Sequence, residues 1–435
     1  MKTLPEQHAT FKSNLLINSH GGELSSDGGL ILAKEMMTKL HFSQLLRTYG
    51  DFNDHRKFCR YSNDRLIEQL VLQMIAGYDA DSAAHSLQRD PVFSLLLDQP
   101  TLASQPTLSR FLGRCSPKTI AALQHVNQAL IDQVRLGTNQ TTLIIDVDST
   151  HSDTYGHQEA TAFNAHYGTT GYHPIVAFDG QTGACLKAEL RPGNVYTSRD
   201  IDAFITPLLT HYQQGLPCTD ILVRGDSGFA TPELYETCEA HQTQYLIRLK
   251  ANRRLYREAE QFISIGDDYD WGHSETHYHT LMYQADSWNK PRRIHIKSTR
   301  QADECLLRHE YLVTNNTAFT AEAAFKAYHQ RGQMENYIKE TKLGFHFDKT
   351  DSSSFDANHT RMMLSVLAYN LVNFIKQLLP QSQRQLNVAT MRLWLFKIAG
   401  KVVRTGRRTY LKLSSYHVHQ ALFYQLLSRI QAIKW

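Results

Sequence analysis

The chain has 435 residues, 42% of them hydrophobic, with 46 Lys and Arg against 42 Asp and Glu for a formal net charge of +4. That length supports about two to four domains, and the near balance of charge excludes a uniformly basic protein, so any polyanion-binding surface must be a local patch. The six cysteines (59, 115, 185, 218, 238 and 305) include no CxxC pair and give no zinc or disulfide framework, and no signal-peptide layout or 18-residue apolar run predicts export or a membrane span.

Residues 1–138 read as mainly helical after a short extended start. Arg65 to Ala76 carries apolar residues at helical spacing and is expected in the core. Pro106 and Thr107 open a short helix that offers Arg110 and Arg114. A basic helix with such a start suits the recognition half of a helix-turn-helix, and suits a capped surface helix equally well.

Residues 139–249 read as strands and helices of an α/β sheet. The run Thr141 to Thr150 is apolar and ends in acids, and strand alternation puts Ile144, Asp146 and Asp148 on one face. Ile175–Phe178 and Ala184–Leu190 bracket a predicted hairpin turn at 179–183. A helix from about Ser198 to Tyr212 leads to a second short strand, Asp220 to Gly225, which delivers Asp226 at its tip. A further helix after Thr231 and a strand at Tyr245–Leu249 complete this part. Carboxylates at the ends of buried strands are costly unless a cation or a metal meets them, although a turn or helix-cap role is the ordinary alternative.

Residues 250–318 alternate like strands around 279–283, 292–297 and 311–314 and are predicted to form a β-rich insertion. Trp271 and Trp288 within it are candidates to stack on an unpaired base, with ordinary packing as the alternative. In residues 319–380, Tyr328, Arg331, Glu335 and Lys342 fall within an arc of roughly 60° if one helix carries them all. A carboxylate flanked by a guanidinium, an ammonium and a phenol suits a metal held beside phosphates, while i,i+4 ion pairs on an exposed helix explain the same text. An apolar helix from Met362 to Ile375 should be core. Residues 381–435 read as a basic helical tail in which Lys397, Lys401, Arg404, Arg407, Arg408 and Lys412 form the densest cationic run.

The order Asp148, Asp226, Glu335 resembles the Asp-Asp-Glu triad of DDE transposases. The Tyr-x2-Arg-x3-Glu-x6-Lys spacing of residues 328 to 342 is similar to the signature of their IS4-related groups. The stretches Asp146-Val-Asp-Ser-Thr, Tyr155-Gly-His-Gln-Glu-Ala, Gly171-Tyr-His-Pro, Leu190-Arg-Pro-Gly-Asn, Arg224-Gly-Asp-Ser-Gly-Phe and Arg331-Gly-Gln-Met-Glu-Asn look like the IS1380 group of bacterial insertion sequences. The resemblance implies an α/β fold, with a ribonuclease-H-like catalytic core, a β-rich insertion and a helical N-terminal DNA-binding region.

The activity it implies is cutting at the ends of an insertion sequence and joining them to target DNA. Asp148, Asp226 and Glu335 would hold two Mg²⁺ ions, for which Mn²⁺ can substitute. Asp146 is the alternative first acid, and Asp148-Ser149-Thr150 fits the family pattern better. Tyr328, Arg331 and Lys342 would contact phosphates near the scissile bond. Arg110 and Arg114 would serve end recognition, and Arg404, Arg407 and Arg408 the backbone. The implied partners are double-stranded DNA, as terminal inverted repeats and target, and further copies of the chain in a homodimer or larger assembly on DNA. The implied location is a bacterial cytoplasm, at the nucleoid.

Two other readings share these residues: a metal-dependent nuclease without strand transfer, and a domesticated DNA-binding protein that no longer cuts. An intact triad speaks against the second. The tetrapeptide Gly225-Asp-Ser-Gly also looks like the nucleophile segment of trypsin-like proteases, but no histidine segment of that family accompanies it.

Overall fold

The computed structural model describes residues 6–50, 52, 54, 56–215, 220–263, 272–302, 304 and 306–434. These fall into two compact units. One comprises residues 1–126, 343–347 and 363–435, the other residues 127–342 and 348–362.

The second unit is built on an eight-stranded sheet. Its strands are β1 (Thr142–Ser149), β2 (Ile175–Asp179), β3 (Cys185–Glu189), β4 (Asp220–Gly225), β5 (Gln244–Leu249), β6 (Glu275–Tyr283), β7 (Arg292–Arg300) and β8 (Arg308–Thr314). Their spatial order is β6-β7-β8-β5-β4-β1-β2-β3. β1, β4 and β5 run parallel, and every other neighbouring pair is antiparallel. The parallel strands are apolar because both faces are covered: Leu143, Ile145, Val147, Ile221, Val223, Tyr245, Leu246 and Ile247 are all buried. Residues 250–318 supply β6, β7 and β8. β8 hydrogen-bonds to β5, and β6 to β8 extend the central sheet.

Trp288, between β6 and β7, is 7% exposed and packs edge-on against Tyr235 and Tyr283, with the Arg292 guanidinium over its ring. No face of it is open to a nucleobase, which corrects the stacking expectation. Trp271 lies outside the described residues.

The helix carrying the Tyr-Arg-Glu-Lys spacing is interrupted. Helix α1 (Ala321–His329) ends after Tyr328, a 3-10 turn spans Gln330–Gly332, and α2 (Gln333–Phe345) follows. Tyr328 packs against the cluster of Leu246, Leu312, Ala324 and Phe325. Four residues on one uninterrupted helix become one on α1, one in the turn and two on α2.

Two buried imidazoles give this unit an acid sensitivity. Burial holds His295 and His359 down to about 4 from an ordinary 6.5. The folded chain then binds fewer protons than the unfolded chain between those values. Stability is complete above about 6.5 and is lost as pH falls toward 4. A thermal midpoint that drops across this window, and drops less in His295→Gln, is the expected result.

The first unit is mainly helical. Helix Asn63–Ala76 is its centre, with Leu66, Ile67, Leu70, Val71, Leu72 and Ile75 inside. Two of its buried polar residues are matched: Lys34 meets Glu68 at 2.9 Å, and the Gln69 amide exchanges two hydrogen bonds with the Ala103 backbone. Gly77 ends the helix at φ +88, and Arg392 donates to the terminal carbonyls of Met74 and Ile75. Residues 381–435 are not helical throughout. Gly400–Arg404 and Thr409–Leu413 form an antiparallel hairpin that adds to Leu24–Ser25 in a three-stranded sheet. Among the described residues, no helix is long and apolar enough to cross a membrane.

Candidate active site

Asp148 and Asp226 are brought together by strand register. In the parallel pair of β1 with β4, Asp146 lies opposite Arg224 and Val147 opposite Gly225. One residue further along the same register come Asp148 and Asp226. Asp226 turns out of the strand and accepts the Gly228 N–H at 2.8 Å, which fixes its carboxylate at the start of the turn Ser227–Phe229. Burial, with the charge of Asp226 adding to it, raises the Asp148 carboxyl above its ordinary value. Arg331 and the Ser149 N–H oppose that rise.

Asp146 has a different fate. It is fully buried and holds Arg224 in a two-pronged ion pair, Nε to Oδ1 at 2.6 Å and Nη2 to Oδ2 at 2.7 Å. Arg224 also donates to the Ala327 carbonyl, tying α1 to the sheet. The pair is so tightly covered that a Cβ on Gly180 would come 2.6 Å from both Arg224 Nη2 and Asp146 Oδ2. Asp146 therefore has both oxygens committed, while Asp148 stands at the strand end beside Asp226.

Arg331 is buried in the 3-10 turn, and its Nη2 donates to Asp148 at 2.9 Å and to the Val147 carbonyl at 3.1 Å. Burial opposes its charge, but Asp148, Tyr328, Asp226 and Asp146 hold the guanidinium above its usual range. The side chain expected to grip a phosphate is thus bonded to a carboxylate. Glu335 lies one helical turn beyond Arg331 on the same face, in the first turn of α2. It is exposed and makes no hydrogen bond or ion pair with a described residue. The fold brings the two aspartates together and places the glutamate on the adjoining helix face. Among the described residues, no three His, Cys, Asp or Glu side chains form a group that could hold a metal ion.

Lys342 lies seven residues past Glu335, donates to the His151 carbonyl and stands 3.8 Å from Asp348. It lines an open cavity of about 640 Å³ with His151, Tyr155, Tyr167 and Lys349. Tyr167 was not foreseen. Burial and the charges of Asp148 and Asp226 all push its hydroxyl upward. It stacks on His151 at 4.7 Å, and Asn164 Oδ1 holds its turn by accepting the N–H groups of His166 and Tyr167. A tyrosine in a polar turn carries no periodic signal, and only the pairing of the strands around it reveals its position.

Of the outlying basic residues, Arg110 is exposed at the end of helix Gln105–Leu112. Arg114 is half-buried, donates to Asn63 and stacks over Phe111. Arg404 pairs with Glu23 at 2.6 Å, and Arg407 and Arg408 are exposed at the hairpin tip.

The two aspartates fit a hard divalent cation, since Mg²⁺ is commonly held by one or two carboxylates with substrate phosphates completing its shell. No curated protein matches the sequence. A cryo-EM structure of a piggyBac transposase synaptic complex with hairpin DNA is similar at TM-score 0.44 and 11% identity, over 85% of this chain and 80% of that one. A likeness that distant says nothing by itself about activity. The family model described as transposase DDE domain group 1 matches residues 7–435. A match that runs through both units, leaving only the first six residues outside it, makes this chain a member of the group 1 DDE-domain transposases.

Proposed function

We propose that the chain is an active transposase of the IS1380 group, cutting DNA at the ends of its own element and joining them to a target. The observation that carries this reading is the placing of Asp148 and Asp226 side by side at the ends of parallel strands, with the Glu335 helix following. The strand order β3-β2-β1-β4-β5, antiparallel on one side of β1 and parallel on the other, supports the ribonuclease-H-like core that this reading needs.

In this reading Asp148, Asp226 and Glu335 hold Mg²⁺, or Mn²⁺ in its place, when DNA is bound. The metal supplies activation of the attacking oxygen and stabilisation of the leaving one. Asp148 is the first acid, because Asp146 is fully buried in its pair with Arg224 while Asp148 is partly exposed at the strand end. Arg331 keeps the Asp148 carboxylate oriented and opposes the upward shift of its carboxyl. Tyr328 on α1 and Lys342 on α2 contact the DNA backbone. Arg110 and Arg114 belong to end recognition. The chain works as a homodimer or larger assembly on double-stranded DNA.

The test is cleavage of a duplex carrying the element's own ends, in Mg²⁺ and in EDTA. Metal-dependent cuts at the ends, followed by joined products and lost in Asp226→Ala and Glu335→Ala, are expected. Full cleavage by a folded Glu335→Ala variant would falsify the triad. Cuts without joined products would instead leave a nuclease.

A further inference from the structure

Within the proposed transposase reading, we infer that the hairpin Gly400–Leu413 is a built docking ribbon for the phosphate backbone of duplex DNA, read without regard to sequence. Its fourteen residues contain Lys401, Arg404, Arg407, Arg408 and Lys412 and no acid, in a chain whose whole net charge is +4. Only Arg404 has an acidic partner among the described residues, Glu23.

The register sharpens the point. Lys401 lies directly opposite Lys412 across the two strands, and both are exposed. Like charges facing each other in this way destabilise a strand pair. No acid on the ribbon relieves them, so the arrangement favours a polyanion that does. The alternate face is anchored: Val402 is 3% exposed, and helix Pro91–Leu97 packs on the strand. Lys401 and Lys412 thus lie on the opposite face from Val402, and Arg407 and Arg408 lie at the tip.

The tip is also fixed in shape. Thr405 N–H and Oγ1 donate to the Arg408 carbonyl at 2.9 and 3.0 Å, and the Arg408 N–H returns a bond to Thr405 Oγ1 at 3.1 Å. Arg407 and Arg408 therefore leave a closed loop and not a floppy one. A two-stranded ribbon has the width of a DNA groove. Single strands are held chiefly by stacked aromatic rings, and on the ribbon only Tyr410 could serve, which favours the duplex.

The experiment uses the full chain and its fourfold variant Lys401→Gln, Arg407→Gln, Arg408→Gln, Lys412→Gln. Binding to a duplex that lacks the element's ends and to one that carries them is followed by anisotropy from 50 to 200 mM salt. The slope of log K against log salt should become shallower by about 0.9 for each phosphate that the variant no longer neutralises. The affinity loss should be equal on both duplexes, and a variant with Lys and Arg exchanged for one another should keep the affinity of the unaltered chain. An unchanged slope overturns the proposal. So does a loss confined to the end-bearing duplex, to single strands or to anionic vesicles. Should the fourfold variant lose its thermal transition, the loop pair Arg407→Gln, Arg408→Gln carries the same test. Because the triad is tested by cleavage, an unchanged slope would leave the transposase reading standing.

Discussion

Arg224→Met is expected to destabilise the sheet unit by about 3–5 kcal/mol, because it strands a buried carboxylate. Asp146 is fully buried and loses two short hydrogen bonds, and the Ala327 carbonyl loses its donor. Burial already raises the Asp146 carboxyl with Arg224 in place. Without the guanidinium the carboxyl takes up a proton in the fold more readily than in the unfolded chain. The variant should therefore regain stability as pH falls and lose it as pH rises, the sign that follows when the folded state binds more protons. Asp146→Asn combined with Arg224→Met should recover most of the loss, since the charge is removed with its partner. Urea unfolding of the four members of this cycle measures the coupling. Four equal stabilities would show that the pair contributes nothing to the fold.

Asp226→Asn and Asp148→Asn should both lower metal-dependent cleavage by at least about 10²–10³-fold, the scale on which loss of one electrostatic catalytic group is felt. Their effects on stability should have opposite signs. Asp226 adds like charge to the half-buried Asp148. Its amide removes that repulsion, leaves the Asp148–Arg331 pair intact and can still accept the Gly228 N–H. The melting temperature should rise. Asp148→Asn leaves Arg331 buried with its carboxylate partner gone, and the melting temperature should fall. Calorimetry beside the cleavage assay decides it. Two variants that both lose activity and both lose stability would mean that the acids serve the fold and not an accommodated cation.

What could be read in advance followed from periodicity. The apolar runs ending in Asp148 and Asp226 form strands because their alternation, and for Asp226 the flanking glycines, specify that geometry locally. The choice between Asp146 and Asp148 was not local. Both occupy one face of β1, and what separates them is Arg224 arriving opposite Asp146 from a strand some seventy residues later. The break between α1 and α2 was hidden too: apart from Gly332, the text from Tyr328 to Lys342 reads as helix, and the turn accompanies the burial of Arg331 against Val147 and Asp148. Trp288 looked like a stacking residue because a tryptophan in polar text is ambiguous until Tyr235, Tyr283 and Arg292 are seen around it. The joining of residues 275–314 to the main sheet depended on β8 pairing with β5, a register that alternation does not reveal.

The two units are threaded through one another along the chain, and this has a consequence for how the protein is made. The sheet unit needs residues up to 362, whereas the helical unit draws on the first residues and on everything to the end. A nascent chain emerging from the ribosome therefore has the whole aspartate pair and the Glu335 helix outside before the cationic hairpin has been translated. A message cut short between the codons of residues 346 and 399 would yield a product with all three acids present and no ribbon to hold DNA. Under the functions proposed above, early termination disarms the enzyme, and a host could silence the element without touching a single catalytic codon.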